Sequence, residues 1–474
     1  MSKQGLWTVD ELISATGGRL EGDVSCVLDG VEIDSRAVGE GDIFIAIKGD
    51  NQDGHIFAAG ALEAGAGIAI VSQANDEMRA AGALLVVENT LTAMEQMGVA
   101  SRARSSAKII GVTGSVGKTT TKDALGVALA ACGKTHVSVA SFNNHWGVPL
   151  TLARMPGDSE FAVFEIGMNH AGEISQLVRM VRPHIAIITA VSESHLGHFS
   201  SIDDIANAKA EIFEGVEAGG SAIINQDSEF FELLKDKAQH AGIEQIVGFG
   251  KSASADSHIK KMALHNTCSC VSANVLGQDV TFKLGSPGEH VVMNTLAVLA
   301  AIKLVDADLA LAVLALAKLS PPKGRGVRLQ LQARDGEFLV IDESYNANPA
   351  SMRAALSLLA RAEPKNGGRR IAVLGDMLEL GDNAQVLHRD LCGPIDEAGV
   401  DKVYACGTLM ESLWQQLPPF RQTLWKPTSG ELEKQLLADI RAGDVIMIKG
   451  SLGSKMGPLL DAIKQRFSAT EKAA

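Results

Sequence analysis

Residues 107–123, with the sequence AKIIGVTGSVGKTTTKD, decide the fold of this chain. A short apolar run at positions 109–112 leads into a glycine-rich turn, and a helical pattern begins at Lys118. This order predicts a buried strand, a loop able to enclose a phosphate group and the N-terminus of a helix. Gly114 and Gly117 allow backbone N–H groups to turn towards an anion, which the positive end of the helix dipole also favours. The alternative is a glycine-rich turn with a purely structural role.

The residues after the glycines favour a nucleoside triphosphate as the ligand. Lys118 is placed to reach the β- and γ-phosphates, and the Thr119 hydroxyl is placed to ligate Mg²⁺. The strict pattern G-x-x-x-x-G-K-[ST] requires glycine at position 112, where this chain has valine, and Gly111 comes one residue early. We predict an enzyme that uses a nucleoside triphosphate, bound by Thr113, Gly114, Ser115, Val116, Gly117, Lys118 and Thr119.

Composition is that of an ordinary globular protein. The 474 residues are 46% hydrophobic and 21% charged, and the length suits about three domains. The formal net charge of −13 disfavours nucleic acid and anionic membranes as partners. The first residues lack the apolar region of a signal peptide, and the longest apolar run, 309–317, is too short to span a membrane. We therefore expect a cytoplasmic protein without membrane insertion, whose six cysteines are reduced.

Alternating strand and helix signals predict an α/β protein of three domains. Residues 1–106 form a first unit, and residues 107–320 contain repeated strand–helix units that predict a mainly parallel sheet. A Pro-Pro-Lys-Gly sequence marks the second boundary, and residues 321–474 form a further α/β unit. Because ligands bind at the carboxyl ends of strands in such sheets, the phosphate loop, Glu165 and the loop with His195 are predicted to share one edge.

Three ionisable residues of the central segment have positions that favour function. Glu165 ends a predicted buried strand, where a carboxylate is costly unless it meets a cation such as Mg²⁺. His195 follows another strand, in the loop SESHLGHF. Lys209 falls on the apolar face of a helix between Ile205 and Ile212, and burial would leave a neutral amine able to add CO₂. The alternatives are a capping glutamate, a polar loop histidine and a lysine that snorkels to the helix edge.

Other polar residues also follow predicted strands or lie on apolar helices. An amide on the apolar helix EHVVMNTLAVLA could read the edge of an adenine base. Two clusters before the phosphate loop, DSR and KGDNQDGH, are either binding loops or plain turns. The residues concerned are Asp34, Ser35, Arg36, Lys48, Gly49, Asp53, His55, Asn143, Asn144, Asn294, Arg325, Asp342, Tyr345 and Asn346.

Nine motifs occur in a fixed order along the chain. They are GVTGSVGKTTTKD, SFNNHWGVPLTL, FEIGMNHAGEI, SHLGHF, NAKAEIF, GRGVR, DESYNANPASM, LGDMLELG and VIMIKGS. This ordered set resembles the Mur ligase family of ATP-dependent cell-wall enzymes, and the resemblance runs from about residue 34 to residue 451. It implies an N-terminal UDP-sugar domain (1–106), a central P-loop ATPase domain (107–320) and a C-terminal Rossmann-like ligase domain (321–474).

The resemblance also implies a reaction. It implies ligation of D-alanyl-D-alanine to UDP-N-acetylmuramoyl-tripeptide through an acyl-phosphate, with ATP and two Mg²⁺ ions. The product is a precursor of peptidoglycan, and through it the enzyme contributes to cell-wall biogenesis, cell shape and cell division. We expect a monomer that acts in the cytoplasm.

Residue roles are carried over position by position from the resemblance. Lys118, Lys209, His195 and Asn143 are implied as catalytic, and Thr119, Glu165, His195 and a carbamylated Lys209 as metal ligands. The phosphate loop, Asn294, Arg325, Asp342, Tyr345 and Asn346 are implied as nucleotide contacts. Substrate contacts are implied for Asp34, Ser35, Arg36, Lys48, Gly49, Asp53, His55, Asn143 and Asn144. Two departures are visible: Glu343 stands where a second aspartate is expected, and the stretch directly after Lys449-Gly450-Ser451 lacks the basic residue often found there.

Three alternative functions fit parts of the pattern. A folylpolyglutamate-type ligase shares the central and C-terminal architecture, but the roughly hundred residues before the phosphate loop and GKTT in place of GKGS disfavour it. A Mur ligase that adds the third peptide residue, diaminopimelate or lysine, would show an Asp-Asn-Pro-Arg motif where this chain has NANP. A non-catalytic nucleotide-binding switch is disfavoured by the intact Lys118, Thr119, Glu165, His195 and Lys209.

Overall fold

The computed structural model describes residues 5–49, 52–139, 141–194 and 196–467, which fold around three β-sheets. The predicted α/β class is confirmed, and each sheet is formed by a consecutive part of the chain. None of the helices in these ranges is long and apolar enough to cross a membrane.

The first sheet has five strands, in the order β1-β5-β4-β3-β2. Its strands are β1 (Arg19–Glu21), β2 (Gly30–Glu32), β3 (Asp42–Ile45), β4 (Ile68–Val71) and β5 (Leu84–Val86), and its helices are α1 (Val9–Thr16), α2 (Ala58–Glu63), α3 (Asp76–Ala81) and α4 (Thr90–Arg104). Strand β1 is antiparallel to β5, and the other pairs are parallel. A 3₁₀ turn (Gly54–Phe57) precedes α2, and the Asp53 side chain caps this turn by accepting a hydrogen bond from His55 N.

The second sheet has nine strands, in the order β14-β13-β12-β11-β10-β9-β6-β8-β7. The strands are β6 (Lys108–Thr113), β7 (Thr135–Val137), β8 (Phe161–Glu165), β9 (Ile185–Ile188), β10 (Ser221–Asn225), β11 (Gln245–Gly250), β12 (Ser257–Leu264), β13 (Ser269–Val275) and β14 (Gln278–Leu284). The helices are α5 (Lys118–Ala130), α6 (Gly147–Ala153), α7 (Glu173–Val181), α8 (Ile202–Ala210), α9 (Phe231–His240), α10 (Glu289–Leu304) and α11 (Leu309–Leu316). Pairing is parallel from β7 to β12 and antiparallel among β12, β13 and β14.

Strand β6 lies inside this sheet, between β8 and β9. Successive side chains of a strand point to opposite faces, so Ile109 packs in the cluster with α6–α9 while Ile110 packs in the cluster with α5 and α10. Both residues are fully buried. Helices on both faces therefore explain why β6 is an uninterrupted apolar run rather than an alternating one.

The third sheet has six strands, in the order β15-β16-β20-β17-β18-β19, with β15 and β16 antiparallel and the rest parallel. The strands are β15 (Val327–Ala333), β16 (Gly336–Glu343), β17 (Arg370–Gly375), β18 (Lys402–Cys406), β19 (Gln422–Lys426) and β20 (Val445–Lys449). The helices are α12 (Pro349–Arg361), α13 (Ala384–Arg389), α14 (Cys392–Glu397), α15 (Met410–Gln416), α16 (Ser429–Asp439) and α17 (Met456–Arg466).

Helix α6 joins the first two sheets into one packed body. Its residues Leu150 and Ala153 belong to the apolar core beneath the first sheet, together with Met97 of α4. The Trp7 indole donates to the Ala153 carbonyl at 2.8 Å, and Arg154 donates to the Val31 carbonyl at 2.6 Å. These contacts fix the loop before α6, which carries Asn143 and Asn144, against the N-terminal unit.

Candidate active site

The phosphate loop connects β6 to α5, as the sequence predicts. Gly114 and Gly117 have φ values of +149° and +87°, which favour glycine. A Cβ atom at position 114 would fall 2.0 Å from Thr189 Oγ1, and one at position 117 would fall 2.4 Å from Asn294 Nδ2. Ser115 N donates to the Ala190 carbonyl at 2.7 Å, so the loop is also held by the segment that follows β9. Space and backbone conformation therefore both require glycine at these two positions.

Lys118 lies at the first position of α5. Its Nζ donates to the Gly114 carbonyl at 2.6 Å. Burial lowers the pKa of Lys118, and the Glu165 carboxylate acts in the opposite direction. Thr119, the next residue, is buried, and its Oγ1 lies 3.2 Å from Ser141 Oγ.

Two cavities, each of about 360 Å³, meet at Lys118. The phosphate-loop cavity is lined by residues 115–120 and, among others, Asn294, Arg325, Glu343, Asn346 and Lys449. The second, which we call the Glu165 cavity, is lined among others by Asn143, Asn144, Glu165, Tyr345, Leu378 and Leu452. Lys118, Arg325 and Asn346 line both, so a group bound at the phosphate loop faces the central and the C-terminal sheets at once.

Glu165 ends β8 and is 1% exposed. Its Oε1 accepts a hydrogen bond from Asn143 Nδ2 at 2.7 Å. Its Oε2 is buried and, among the described residues, has no hydrogen-bond partner. A buried carboxylate oxygen without a partner is costly, and a divalent cation is a suitable partner for it. The donor set of Glu165 and Thr119 therefore fits Mg²⁺.

Lys209 lies near the end of α8 with only 2% of its surface exposed. In the described part of the chain, its amine makes no hydrogen bond or ion pair. Burial, with a smaller contribution from the charge of Lys118, sets the pKa of Lys209 well below its ordinary value. The helix is capped by the Ser201 side chain and is followed by a 3₁₀ turn (Glu211–Gly215). The buried lysine does not snorkel to solvent.

His195 lies outside the described residues. Its neighbour Gly197 donates through its N–H to the Glu379 carbonyl at 2.9 Å. This bond joins the loop after β9 to the loop after β17, and therefore the central unit to the C-terminal unit.

The predicted nucleotide contacts have different surroundings. Asn294 faces Gly117, and the Arg325 guanidinium stacks 4.5 Å above the Tyr345 ring. Asp342 lines neither cavity, because its carboxylate accepts hydrogen bonds from Gly324 N at 3.2 Å and from Ser344 N and Oγ at 3.1 and 2.6 Å. The carboxylate in the cavity wall is that of Glu343, the residue after it.

The described residues of the two N-terminal clusters do not line these cavities. Hydrogen bonds from Arg36 lower the pKa of Asp34 to about 2 in an exposed turn. Asp53 Oδ1 lies 2.6 Å from His55 Nδ1, and His55 Nε2 accepts from Ser72 N at 2.8 Å.

The Lys48–His55 cluster contacts the loop before α6 instead. A Cβ atom on Gly49 would fall 2.9 Å from the Trp146 ring, which follows Asn144 in that loop. The first sheet therefore contacts the loop whose residues Asn143 and Asn144 line the Glu165 cavity. Residues 50 and 51 of this cluster lie outside the described ranges.

Sequence reasoning missed several residues of these cavities, among them Ser141 and His290. Ser141 lines the Glu165 cavity and contacts Thr119. His290 lines the phosphate-loop cavity from α10, four residues before Asn294. That spacing places His290 and Asn294 on the same face of a helix, and it is the signal that could have found His290.

Three family models match the chain in order. They are the Mur ligase family catalytic domain (residues 27–105), the Mur ligase middle domain (112–302) and the Mur ligase glutamate ligase domain (327–452). Among the similar proteins, UDP-N-acetylmuramoyl-tripeptide–D-alanyl-D-alanine ligase of Rickettsia prowazekii is 34% identical, over 96% of this chain and 99% of its own. The ligase of the same name from Bacillus subtilis is 33% identical over 99% and 100%.

A solved structure shows the same architecture. The crystal structure of MurF from Acinetobacter baumannii superposes with a TM-score of 0.83 at 30% identity, covering 97% of this chain and 99% of that chain. The matches run through all three sheets and through the phosphate loop, Glu165 and Lys209. On this evidence the chain belongs to the Mur ligase family.

Proposed function

We propose that this enzyme joins D-alanyl-D-alanine to UDP-N-acetylmuramoyl-tripeptide with hydrolysis of ATP to ADP and phosphate. The observation that carries the proposal is the position of Lys118 between two cavities, one formed by the phosphate loop and one by Asn143 and Glu165. A carboxylic acid that is phosphorylated by ATP must bind beside the nucleotide, and this requires two adjoining sites of this kind. The names of the full-length relatives support the choice of substrates.

Each structural unit has one ligand in this proposal. Residues 1–106 hold the UDP-sugar through Asp34, Ser35, Arg36, Lys48, Gly49, Asp53 and His55. Residues 107–320 bind ATP, and residues 321–474 close the nucleotide site and hold the dipeptide. The contact between Trp146 and Gly49 supports this division, because it places the Lys48–His55 cluster beside the loop that carries Asn143 and Asn144.

The proposed reaction begins with a phosphoryl transfer, in which a positive side chain stabilises negative charge. A carboxylate oxygen of the tripeptide attacks the γ-phosphorus of ATP, and the Lys118 ammonium stabilises negative charge on the transferred oxygens. The products of this step are an acyl-phosphate and ADP. The amine of D-alanyl-D-alanine then attacks the acyl carbon, and the tetrahedral intermediate expels phosphate as the amide forms. Asn143 is fixed by Glu165 and can donate to the acyl-phosphate from the cavity wall.

Mg²⁺ would be held by Thr119, Glu165, His195 and a carbamate on Lys209. When bound, it neutralises charge on the phosphate oxygens. Glu165 Oε2, which has no hydrogen-bond partner in the described part of the chain, supports this assignment.

Carbamylation of Lys209 requires a neutral amine. The amine nitrogen adds to CO₂ and loses a proton, which changes a potential cation into an anion that can ligate a metal. The lowered pKa and the absence of a partner among the described residues both favour that reaction. We predict that Lys209→Ala loses most ligation and that bicarbonate does not restore it, whereas wild-type activity falls in CO₂-free buffer and returns with bicarbonate. A near-normal rate for Lys209→Ala would exclude the carbamate.

The deciding experiment measures phosphate release with each substrate omitted in turn. We expect release only when ATP, UDP-muramoyl-tripeptide and D-alanyl-D-alanine are all present. ATP hydrolysis indifferent to the dipeptide would overturn the proposal, and activity with a folate and glutamate would favour the folylpolyglutamate alternative. A comparison of tripeptides ending in diaminopimelate and in lysine identifies the third residue.

We also propose a cytoplasmic monomer. Residues of one chain supply the walls of both cavities, so no second copy is needed to complete the site. Sedimentation of the enzyme with and without its substrates measures its mass in solution and so tests whether it is a monomer.

A further inference from the structure

A buried ion pair lies at the carboxyl end of the third sheet, outside the residues that act in the proposed reaction. Glu343 and Lys449 are opposite each other on the parallel strands β16 and β20. Lys449 Nζ lies 3.4 Å from Glu343 Oε2, and the two side chains are 2% and 13% exposed. Both line the phosphate-loop cavity.

Lys449 also holds the loop that follows β16. Its Nζ donates to the Asn346 carbonyl at 2.8 Å. The same loop carries Tyr345, whose ring supports the Arg325 guanidinium. One buried ammonium group therefore fixes a carboxylate and a loop that together form one side of the phosphate-loop cavity.

Each member of the pair stabilises the charged form of the other, and the Arg325 charge acts on both. Burial raises the pKa of Glu343 and lowers that of Lys449, and the charge of each partner opposes the shift of the other. Removal of Lys449 alone would leave a buried carboxylate without its cation beside a site for a polyanion. Removal of both charges would leave no such repulsion, so the double change should cost less than the change at Lys449.

We propose that Lys449 is a positioning residue for ATP, which acts by holding Glu343 and the Tyr345–Asn346 loop in place rather than by touching the reacting atoms. This inference rests on the proposed use of ATP. It assigns a function to the lysine of the VIMIKGS motif, and it explains why a longer glutamate at position 343 is accommodated in this chain: its carboxylate has a partner on the adjacent strand.

The test is a double-mutant cycle with Lys449→Met, Glu343→Gln and the two combined. ATP binding is measured by calorimetry without the other substrates, and KM values are measured for ATP and for the dipeptide. We expect Lys449→Met to weaken ATP binding by about tenfold or more, with little change in the KM for the dipeptide. The double variant should bind ATP more tightly than Lys449→Met.

A control removes an ion pair of the same sheet between the partly buried Arg369 and the buried Asp444. Arg369 Nη2 lies 2.7 Å from Asp444 Oδ2, away from both cavities. Arg369→Met should lower the melting temperature without changing ATP affinity. Strictly additive effects in the cycle, or equal losses of ATP affinity in Lys449→Met and Arg369→Met, would overturn the inference. Absence of ATP binding by the wild-type chain would instead contradict the proposed function.

Discussion

Among the described residues, two buried ionisable groups near the carboxyl end of the central sheet have an atom that lacks a partner, whereas the buried ionisable groups at the carboxyl end of the C-terminal sheet have partners. In the central sheet, Glu165 has an oxygen without a hydrogen-bond partner and Lys209 has an amine without one, among the described residues. In the C-terminal sheet, Glu343 is paired with Lys449, and Asp376 accepts from Leu409 N and Met410 N at the start of α15.

The difference in pairing indicates that the two sheet edges have different functions. Unsatisfied buried groups are costly, and they persist where a ligand supplies the missing partner. Satisfied groups hold a surface in shape before the ligand arrives, which reduces the cost of ordering on binding. The central edge therefore suits the chemistry, and the C-terminal edge suits the positioning of substrates.

The largest effect is expected at Lys118, where the two edges meet. Lys118→Ala removes the ammonium group that stabilises charge on the transferred phosphate, so we expect kcat to fall by about a hundredfold to a thousandfold. Quenched single-turnover measurement of ADP checks this value. Lys134→Ala is the control, because Lys134 is an exposed lysine of the same unit paired with Asp158. Retained turnover in Lys118→Ala would break the assignment of the phosphate loop.

Local sequence patterns predicted the phosphate loop of the central sheet and the burial of Lys209. The glycines and Lys118 are adjacent in sequence, and the burial of Lys209 follows from the spacing of apolar residues along one helix. These features depend on periods of two or 3.6 residues, which a single segment contains in full. The family and the α/β class were predicted and are confirmed.

The C-terminal edge was less predictable because its contacts join distant segments. Glu343 and Lys449 come together only through the pairing of β16 with β20, and nothing in either strand alone shows that pairing. The hydrogen bonds that turn Asp342 away from the cavities come from a loop before β15 and from Ser344. Strand β19 pairs at the edge of the sheet and is only half-buried, so its sequence has a weak apolar pattern.

A smaller effect is expected from Glu165→Gln, which tests whether the unpaired oxygen serves a cation. Glutamine keeps the shape of the side chain and an oxygen for the Asn143 hydrogen bond, but it carries no negative charge. The Mg²⁺ concentration for half-maximal activity should rise by about tenfold or more. Titration of activity with Mg²⁺ measures it, with Glu214→Gln as the control on a surface ion pair. An unchanged Mg²⁺ requirement would make Glu165 a structural residue and remove the contrast between the edges.

The smallest effect is expected at His388, which lies beside the carboxyl end of the C-terminal sheet and has a hydrogen-bond partner at each ring nitrogen. Its ring is fully buried, its Nε2 accepts from Met377 N at 2.9 Å, and its Nδ1 donates to the Ala384 carbonyl at 2.6 Å. Burial lowers the pKa of His388, so the unfolded chain binds a proton below about pH 6.5 that the folded chain does not bind. Stability therefore decreases as pH falls below 6.5, by at most about 1.4 kcal/mol per pH unit for this one proton.

His388→Gln should reduce that pH dependence even if its stability at pH 8 is lower. Denaturant unfolding of both proteins between pH 8 and pH 5.5 measures the two slopes. Histidines elsewhere contribute to the total, since burial also lowers the pKa of His136 and His184, so the difference between the two proteins is the informative quantity. Equal slopes would mean that His388 also takes up its proton in the folded state. Met377 N would then lose its acceptor, and the carboxyl end of the C-terminal sheet would not be ordered before the ligand binds.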